Sequence, residues 1–390
     1  MTPKNTLTVT VALKPYSFEA EACFRFSRPI SELSFLLNDA LSILNATDEK
    51  GELISYFGEG AVTPTFRPLS KKIVVRRGKP FRSLVVRYRG TAQYSDEKRQ
   101  NWHNAVTPDF VSLNWYSVWF PEEVSVPIGD DRMIVRGGSR WFVVKGEYDE
   151  TGDRWLYGGR GYDAFNLVAF ARDKLLRVES PRMDLCFLDE RLAESAERCV
   201  RTYETILDYY NGTLFDEREI KKTDVVCAFP IIKTGGAYRR EGLIWCVSPE
   251  ADPVDGAYLL AHETAHIWCN GANAGSWEDW LNEATADWAA LLFALERGNT
   301  ALFKRIITPA LEKAPTLPPI KTVDGSRPEG VHEKGTALLY RVYEKYGAEV
   351  MAEIVRCFSR LNEKNTNSLL AELKKLGLAD AAAMIAVGIE

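Results

Sequence analysis

Two histidines four residues apart, His262 and His266, with Glu263 directly after the first, constrain this chain more than any other feature. An α-helix turns once in about 3.6 residues, so side chains at i and i+4 share a face. On such a helix the two imidazoles can reach one metal ion, with Glu263 beside them and aimed at a bound water. Histidine and carboxylate ligands suit zinc, and a catalytic zinc takes three protein ligands and leaves one position open. The third ligand has to come from elsewhere. Glu283, in Trp280-Leu281-Asn282-Glu283 on a second predicted helix, is the candidate, with sixteen residues between it and His266. One zinc ion on His262, His266 and Glu283 is therefore the expected cofactor. The chain has only four histidines, which makes a chance pairing at this spacing uncommon.

The rest of the chain is read around that pair. Leu7, Val9, Val11 and Leu13 alternate with Thr8, Thr10 and Ala12, and Phe18 to Phe26 alternates likewise. Period two with one apolar face predicts half-buried strands. Further strands are predicted at Leu33–Leu37, Ile73–Arg76, Leu84–Tyr88, Trp141–Lys145, Phe165–Ala171 and Met183–Phe187. The aromatic stretch Phe110 to Pro121 can line a binding wall or fill a core, and the core reading is preferred. From Asp189 the spacing of Leu192, Ala196, Val200, Tyr203, Ile206 and Tyr210 becomes helical. Residues 1–187 are thus expected to form an N-terminal antiparallel β-sheet domain. Residues 188–390 are expected to form a mixed catalytic domain, mostly helical after 300. Val225–Phe229 and Leu243–Val247 read as strands bracketing a glycine-rich loop, Gly235 to Gly242. The helix of Glu283 is expected to start after Ser276, with Asp279 completing a capping box.

Composition narrows the function classes. A net charge of −5, with no long basic cluster, gives no electrostatic reason to expect nucleic acid. The apolar fraction of 46% supports substantial cores, and charged residues at 26% are ordinary for a globular protein. Seven scattered cysteines, with no C-x-x-C, argue against a disulfide framework and fit reduced, buried thiols in the cytoplasm. Cys269, three residues past His266, is not expected to bind the metal. No secretory signal is recognisable at the N-terminus, and no run reaches the roughly 18 apolar residues of a membrane span, so no membrane association is expected.

The residues allow a definite chemistry. Zinc polarises a carbonyl and lowers the pKa of water, and Glu263 can accept the water's proton and deliver it to the leaving nitrogen. Asp287, one turn beyond Glu283, can support a ligand histidine or stand as a plain helix carboxylate. His332 can donate to an oxyanion or sit on the surface at a helix start.

Taken together, these segments resemble the gluzincin metallopeptidases of the aminopeptidase N and leukotriene-hydrolase family. His262-Glu263-Thr264-Ala265-His266-Ile267-Trp268 is similar to the family's H-E-x-x-H-x-W. Trp280-Leu281-Asn282-Glu283 is similar to its W-L-N-E, although two residues fewer separate the two segments here. Asn282 to Asp287 resembles the N-E-x-x-x-D of thermolysin, which implies that Asp287 supports a ligand histidine. His332-Glu333-Lys334-Gly335 resembles the family's Y-E-K-G and implies that His332 stabilises the oxyanion in place of tyrosine. Gly236-Ala237-Tyr238-Arg239-Arg240-Glu241-Gly242 aligns on the family's G-A-M-E-N-x-G. The likeness implies a substrate-binding loop of Gly235, Gly236, Ala237, Arg239, Arg240 and Glu241. Arg239 replaces the glutamate that holds the substrate's free amino group, and a guanidinium repels an ammonium.

The resemblance further implies a saddle-like β domain followed by a thermolysin-like α+β catalytic domain. The family's large C-terminal helical domain has no counterpart in the sequence, so the cleft is expected to be open, or covered by a second copy or a partner subunit. The expected function is zinc-dependent hydrolysis of peptide substrates, with altered recognition of the N-terminus. The alternatives are a zinc amidase or peptidase for acidic or blocked termini, and a non-catalytic binding protein that retains the fold.

Overall fold

The computed structural model describes residues 4–62, 67, 69–91, 104–158, 165–232, 236–246 and 253–390. The chain divides into two compact units. One comprises residues 1–176 with 229–235, and the other 177–228 with 236–390.

The first unit is built of strands, as the alternation predicts. Its eight-stranded sheet runs Glu147–Asp149, Arg154–Gly158, Asp130–Arg136, Thr6–Lys14, Ser17–Asn38, Ser70–Gly90 and Ser42–Thr47, with Tyr56–Val62 also on Ser70–Gly90. Val9 faces Ala22 and Val11 faces Ala20 across an antiparallel pair, and all four are buried. The sheet is not wholly antiparallel, because Thr6–Lys14 pairs in parallel with Asp130–Arg136. Strand lengths also differ from expectation. Leu33–Leu37 is one end of a 22-residue strand, and Ile73–Arg76 and Leu84–Tyr88 belong to a single 21-residue strand. Pro29, Gly78 and Pro80 read as breaks in sequence, but the pair absorbs them as register shifts between Arg25 and Glu32.

A four-stranded sheet, Ala105–Val106, Phe110–Leu113, Leu167–Ala171 and Trp141–Val143, completes this unit. The aromatic stretch at 110–121 is core. Trp119 is fully buried, meets Phe18 edge-on at 5.8 Å, and donates from Nε1 to the Phe165 carbonyl at 2.8 Å.

A buried pair of charged groups, Arg67 and Glu122, sits in this unit. Arg67 is shared by two carboxylates, Glu123 and the buried Glu122, whose Oε2 lies 2.8 Å from Nη1. Glu122 Oε1 has no partner among the described residues. Burial pushes the Glu122 carboxyl from its ordinary 4.5 up to about 8, against the pull of Arg67. The folded chain then holds a proton that the unfolded chain releases at its lower pKa. The stabilisation is complete below 4.5 and is lost as pH rises to about 8. Stability is expected to decline across that window, and Glu122→Gln to flatten the decline. Urea unfolding of both proteins at several pH values measures this, and parallel slopes would refute it.

The second unit holds a five-stranded sheet in the order Leu176–Glu179, Met183–Phe187, Thr223–Cys227, Leu243–Cys246, Ala237–Arg240. Met183–Phe187 was expected in the N-terminal domain. It lies here because it pairs in parallel with Thr223–Cys227, and the division falls at 176/177 instead of 187/188. The glycine-rich segment is not simply a loop. Ala237–Arg240 is an edge strand, antiparallel to Leu243–Cys246, and Gly242 (φ +65) makes the tight turn. Stacking of Tyr238 on Trp245 at 5.5 Å supports the pairing.

Seven helices are described: α1 Ala193–Tyr209, α2 Pro253–Ala265, α3 Asp279–Glu296, α4 Thr300–Lys313, α5 Val331–Arg360, α6 Thr366–Lys375 and α7 Ala379–Ile389. α5 bends at Gly347, whose φ of +83 is left-handed. Among the described residues no helix is long and apolar enough to cross a membrane.

Candidate metal centre

α2 supplies His262 in its last turn, His266 follows directly after its final residue Ala265, and α3 supplies Glu283 from its first turns. The connection between the helices is pinned by Asn282, which accepts from the Ala272 N–H at 3.0 Å and donates to the Ala272 carbonyl at 3.1 Å. That clamp sets where Glu283 stands. The expected capping box does not form. Ser276 Oγ accepts from the Glu278 N–H, and Asp279 turns inward to Arg327 at 2.7 Å and to Asn282 at 2.9 Å.

Three donor atoms converge. His262 Nε2 lies 3.2 Å from His266 Nε2 and 3.3 Å from Glu283 Oε2. The other ring nitrogens fix the tautomers. His266 Nδ1 faces the Cys269 carbonyl at 2.8 Å, which can only accept, so the proton is on Nδ1. His262 Nδ1 faces Asp287 Oδ1 at 2.9 Å and donates to it. Both Nε2 atoms therefore present lone pairs to one another and to a carboxylate, an arrangement that only a cation or a proton can satisfy. Separations of this size are about those between ligands of a tetrahedral zinc with bonds of about 2.1 Å. The donor set fits that metal. Without it, burial opposes charge on His262, but Asp287 and Glu283 outweigh burial and hold its pKa well above the usual value. Burial likewise opposes the Glu283 anion, and the surrounding imidazoles overcome it and hold its pKa well below the usual range.

Asp287 is the hub beneath this centre. Its carboxylate accepts from His262 Nδ1, from Tyr258 OH at 3.1 Å, from His332 Nε2 at 2.8 Å and from Thr336 Oγ1 at 2.8 Å. Burial opposes its charge too, but the imidazoles prevail and lower its pKa far below the ordinary carboxylate.

His332 stands in the first turn of α5. Gly335 brings that helix close, since a Cβ there would lie 3.0 Å from the Ala284 Cβ on α3. The His332 ring stacks on His262 at 5.0 Å, and its Nδ1 faces Glu283 Oε2 at 3.4 Å. Because Nε2–H donates to Asp287, Nδ1 can donate only when the ring is an imidazolium. Burial disfavours that form, but Asp287 and Glu283 prevail and raise the His332 pKa.

Glu263 follows His262 and is buried. Cys269 is used through its carbonyl, and its thiol joins neither ligand cluster among the described residues.

The expected substrate segment comes apart. Gly235 lies outside the described residues. Gly236 precedes the edge strand that Ala237 begins. Arg239 and Arg240, adjacent in a strand, point to opposite faces. Arg239 reaches the His266 carbonyl at 3.4 Å, whereas Arg240 lies over the Tyr238 ring at 4.9 Å. Glu241, in the turn, pairs with Lys221 at 3.1 Å.

Sequence reasoning missed Tyr258 and Thr336. Each lies one helical turn from a histidine, four residues before His262 and four after His332, so the i,i+4 rule applied outward from those histidines would have found both.

No known protein-family profile matches the sequence, and no curated protein matches it. Solved structures do share its fold. An M1 zinc metallopeptidase from Deinococcus radiodurans aligns with a TM-score of 0.61 and 16% identity, over 99% of this chain and 93% of that one. A mutant of an M1 zinc metallopeptidase from the same organism, bound to a Tyr-Ser-Ala substrate, aligns at 0.63 and 16% over the same shares. Native leukotriene A4 hydrolase from Saccharomyces cerevisiae aligns at 0.62 and 15%, over 97% of this chain and 66% of that one. At these identities the likeness is one of fold.

Proposed function

We propose that this chain is a zinc-dependent peptidase. The observation that carries the reading is the convergence of His262 Nε2, His266 Nε2 and Glu283 Oε2, with both imidazoles already oriented through Nδ1. The shared fold with zinc metallopeptidases supports it.

His262, His266 and Glu283 would hold the ion, and zinc there supplies Lewis acidity that polarises a carbonyl and lowers the pKa of water. Glu263 accepts the proton of the attacking water and returns it to the departing nitrogen, so that the leaving group departs as a neutral amine. His332, as an imidazolium tied to Asp287, offers its Nδ1–H to the developing oxyanion. Asp287 keeps His262 in the tautomer that frees Nε2 and keeps His332 protonated. Arg239 in the edge strand replaces an acidic group that would hold a substrate ammonium, so recognition of the free N-terminus is altered. The seven scattered cysteines, with no C-x-x-C and no disulfide among the described residues, suit a reducing compartment, and we place the protein in the cytoplasm.

The test is a digestion of a diverse peptide library by protein carrying one equivalent of zinc, read by mass spectrometry. Zinc-dependent cleavage that stops with a chelator and returns on re-addition is expected. A zinc-loaded protein that leaves the whole library intact would point to the non-catalytic alternative.

A further inference from the structure

Strand register decides which of the two adjacent arginines can meet a substrate. Arg239 pairs with Ile244, and Ile244 with Val225, so Arg239 shares its face of the sheet with Ala237, Cys246 and Cys227. Of that face, Arg239 is the residue tied to the segment carrying the second histidine, through the His266 carbonyl at 3.4 Å. Arg240 is turned to the opposite face. A guanidinium is charged at every working pH and presents N–H groups in a planar fork that matches a carboxylate.

We infer that the preferred substrates carry a carboxylate that docks on Arg239 next to the bond being cut. This rests on the peptidase reading and names the substrate class for it. The carboxylate can come from an acidic residue at the N-terminus, from a dicarboxylic acyl group blocking that terminus, or from the C-terminus of a short peptide.

Arg239 also has a structural use that the test must separate. It and Arg218, whose Nη1 donates to the Ile267 carbonyl at 3.0 Å, both meet carbonyls just past the end of α2, where cations favour a helix terminus. Loss of such a cap alters the centre for every substrate alike. Loss of a carboxylate dock alters only substrates that bear the carboxylate.

The experiment uses zinc-loaded full-length protein and matched fluorogenic peptides. One set has a free alanine terminus, one an acetyl block, one a succinyl block, one an N-terminal aspartate, and one a free rather than amidated C-terminus. The parent should favour at least one carboxylate-bearing series over its neutral counterpart by roughly tenfold in kcat/KM. That ratio should fall to about one in Arg239→Gln and recover in part in Arg239→Lys. Which series shows the ratio identifies the source of the carboxylate. Equal or better cleavage of the free-ammonium and neutral peptides by the parent overturns the inference. So does Arg239→Gln lowering all series by one factor with the ratio kept, which is the signature of a cap alone. If no series is cleaved, the peptidase reading fails, and fluorescence polarisation with the same peptides still decides this inference. Tighter binding of a carboxylate-bearing series, lost in Arg239→Gln, supports it, and equal binding overturns it.

Discussion

Glu263→Gln is expected to retain zinc and to lose peptide hydrolysis by roughly 10²–10⁴-fold in kcat, the usual contribution of a positioned general base. Glutamine fills nearly the same volume on α2 but cannot accept the water's proton. Glu263 is not among the three converging donors, so metal content should stay at one ion per chain, measured by elemental mass spectrometry beside the kinetics. Retained metal with lost turnover isolates the proton transfer, because a general unfolding of the centre would release the ion. A variant that cleaves as fast as the parent would require a different base, and neither Asp287 nor Glu283, the other carboxylates of the described centre, is free to serve. Asp287 is saturated by four donors, and Glu283 is committed to the ligand cluster.

Asp287→Ala is expected to weaken zinc binding by roughly 10–100-fold, the usual effect of losing an outer-shell partner. It should also destabilise the fold by about 3–5 kcal/mol, because breaking a buried charge network leaves its partners uncompensated. Two imidazoles, one phenol and one hydroxyl lose their acceptor at once. His262 then no longer has a reason to keep its proton on Nδ1, and a protonated Nε2 cannot bind a metal. Tyr258→Phe and Thr336→Val each remove one donor and leave the carboxylate, so each should cost only about 1 kcal/mol. Denaturant unfolding of the zinc-free proteins and competition with a fluorescent zinc chelator separate stability from affinity. Parental zinc affinity in Asp287→Ala would show that His262 needs no such support.

The parts of the centre that were legible in advance obey local rules. His262 and His266 lie one turn apart across the end of α2, and Glu283 and Asp287 repeat that spacing within α3. The strands Thr6–Lys14 and Ser17–Asn38 carry their alternation openly. Local rules also explain the failures. Ser276 and Asp279 satisfy a capping pattern, but Arg327 and Asn282 offer Asp279 a part-buried ion pair and a hydrogen bond instead. Met183–Phe187 reads as another strand after many strands, and nothing within it says that its partner lies across a helix at Thr223–Cys227.

The sequence by itself determined the chemistry: which residue types are present, and which stand one turn or two residues apart. Those spacings follow from the 3.6 and 2.0 periods of single elements, and they need no knowledge of the fold. Only the tertiary structure decided that α3 brings Glu283 to the two histidines. Only it decided that α5, through Gly335, brings His332 onto Asp287, and that Arg239 reaches the His266 carbonyl while Arg240 turns to the Tyr238 ring. Those outcomes depend on helix packing and strand register between segments distant in the chain. Such contacts arise from the burial of whole faces, which no local spacing encodes.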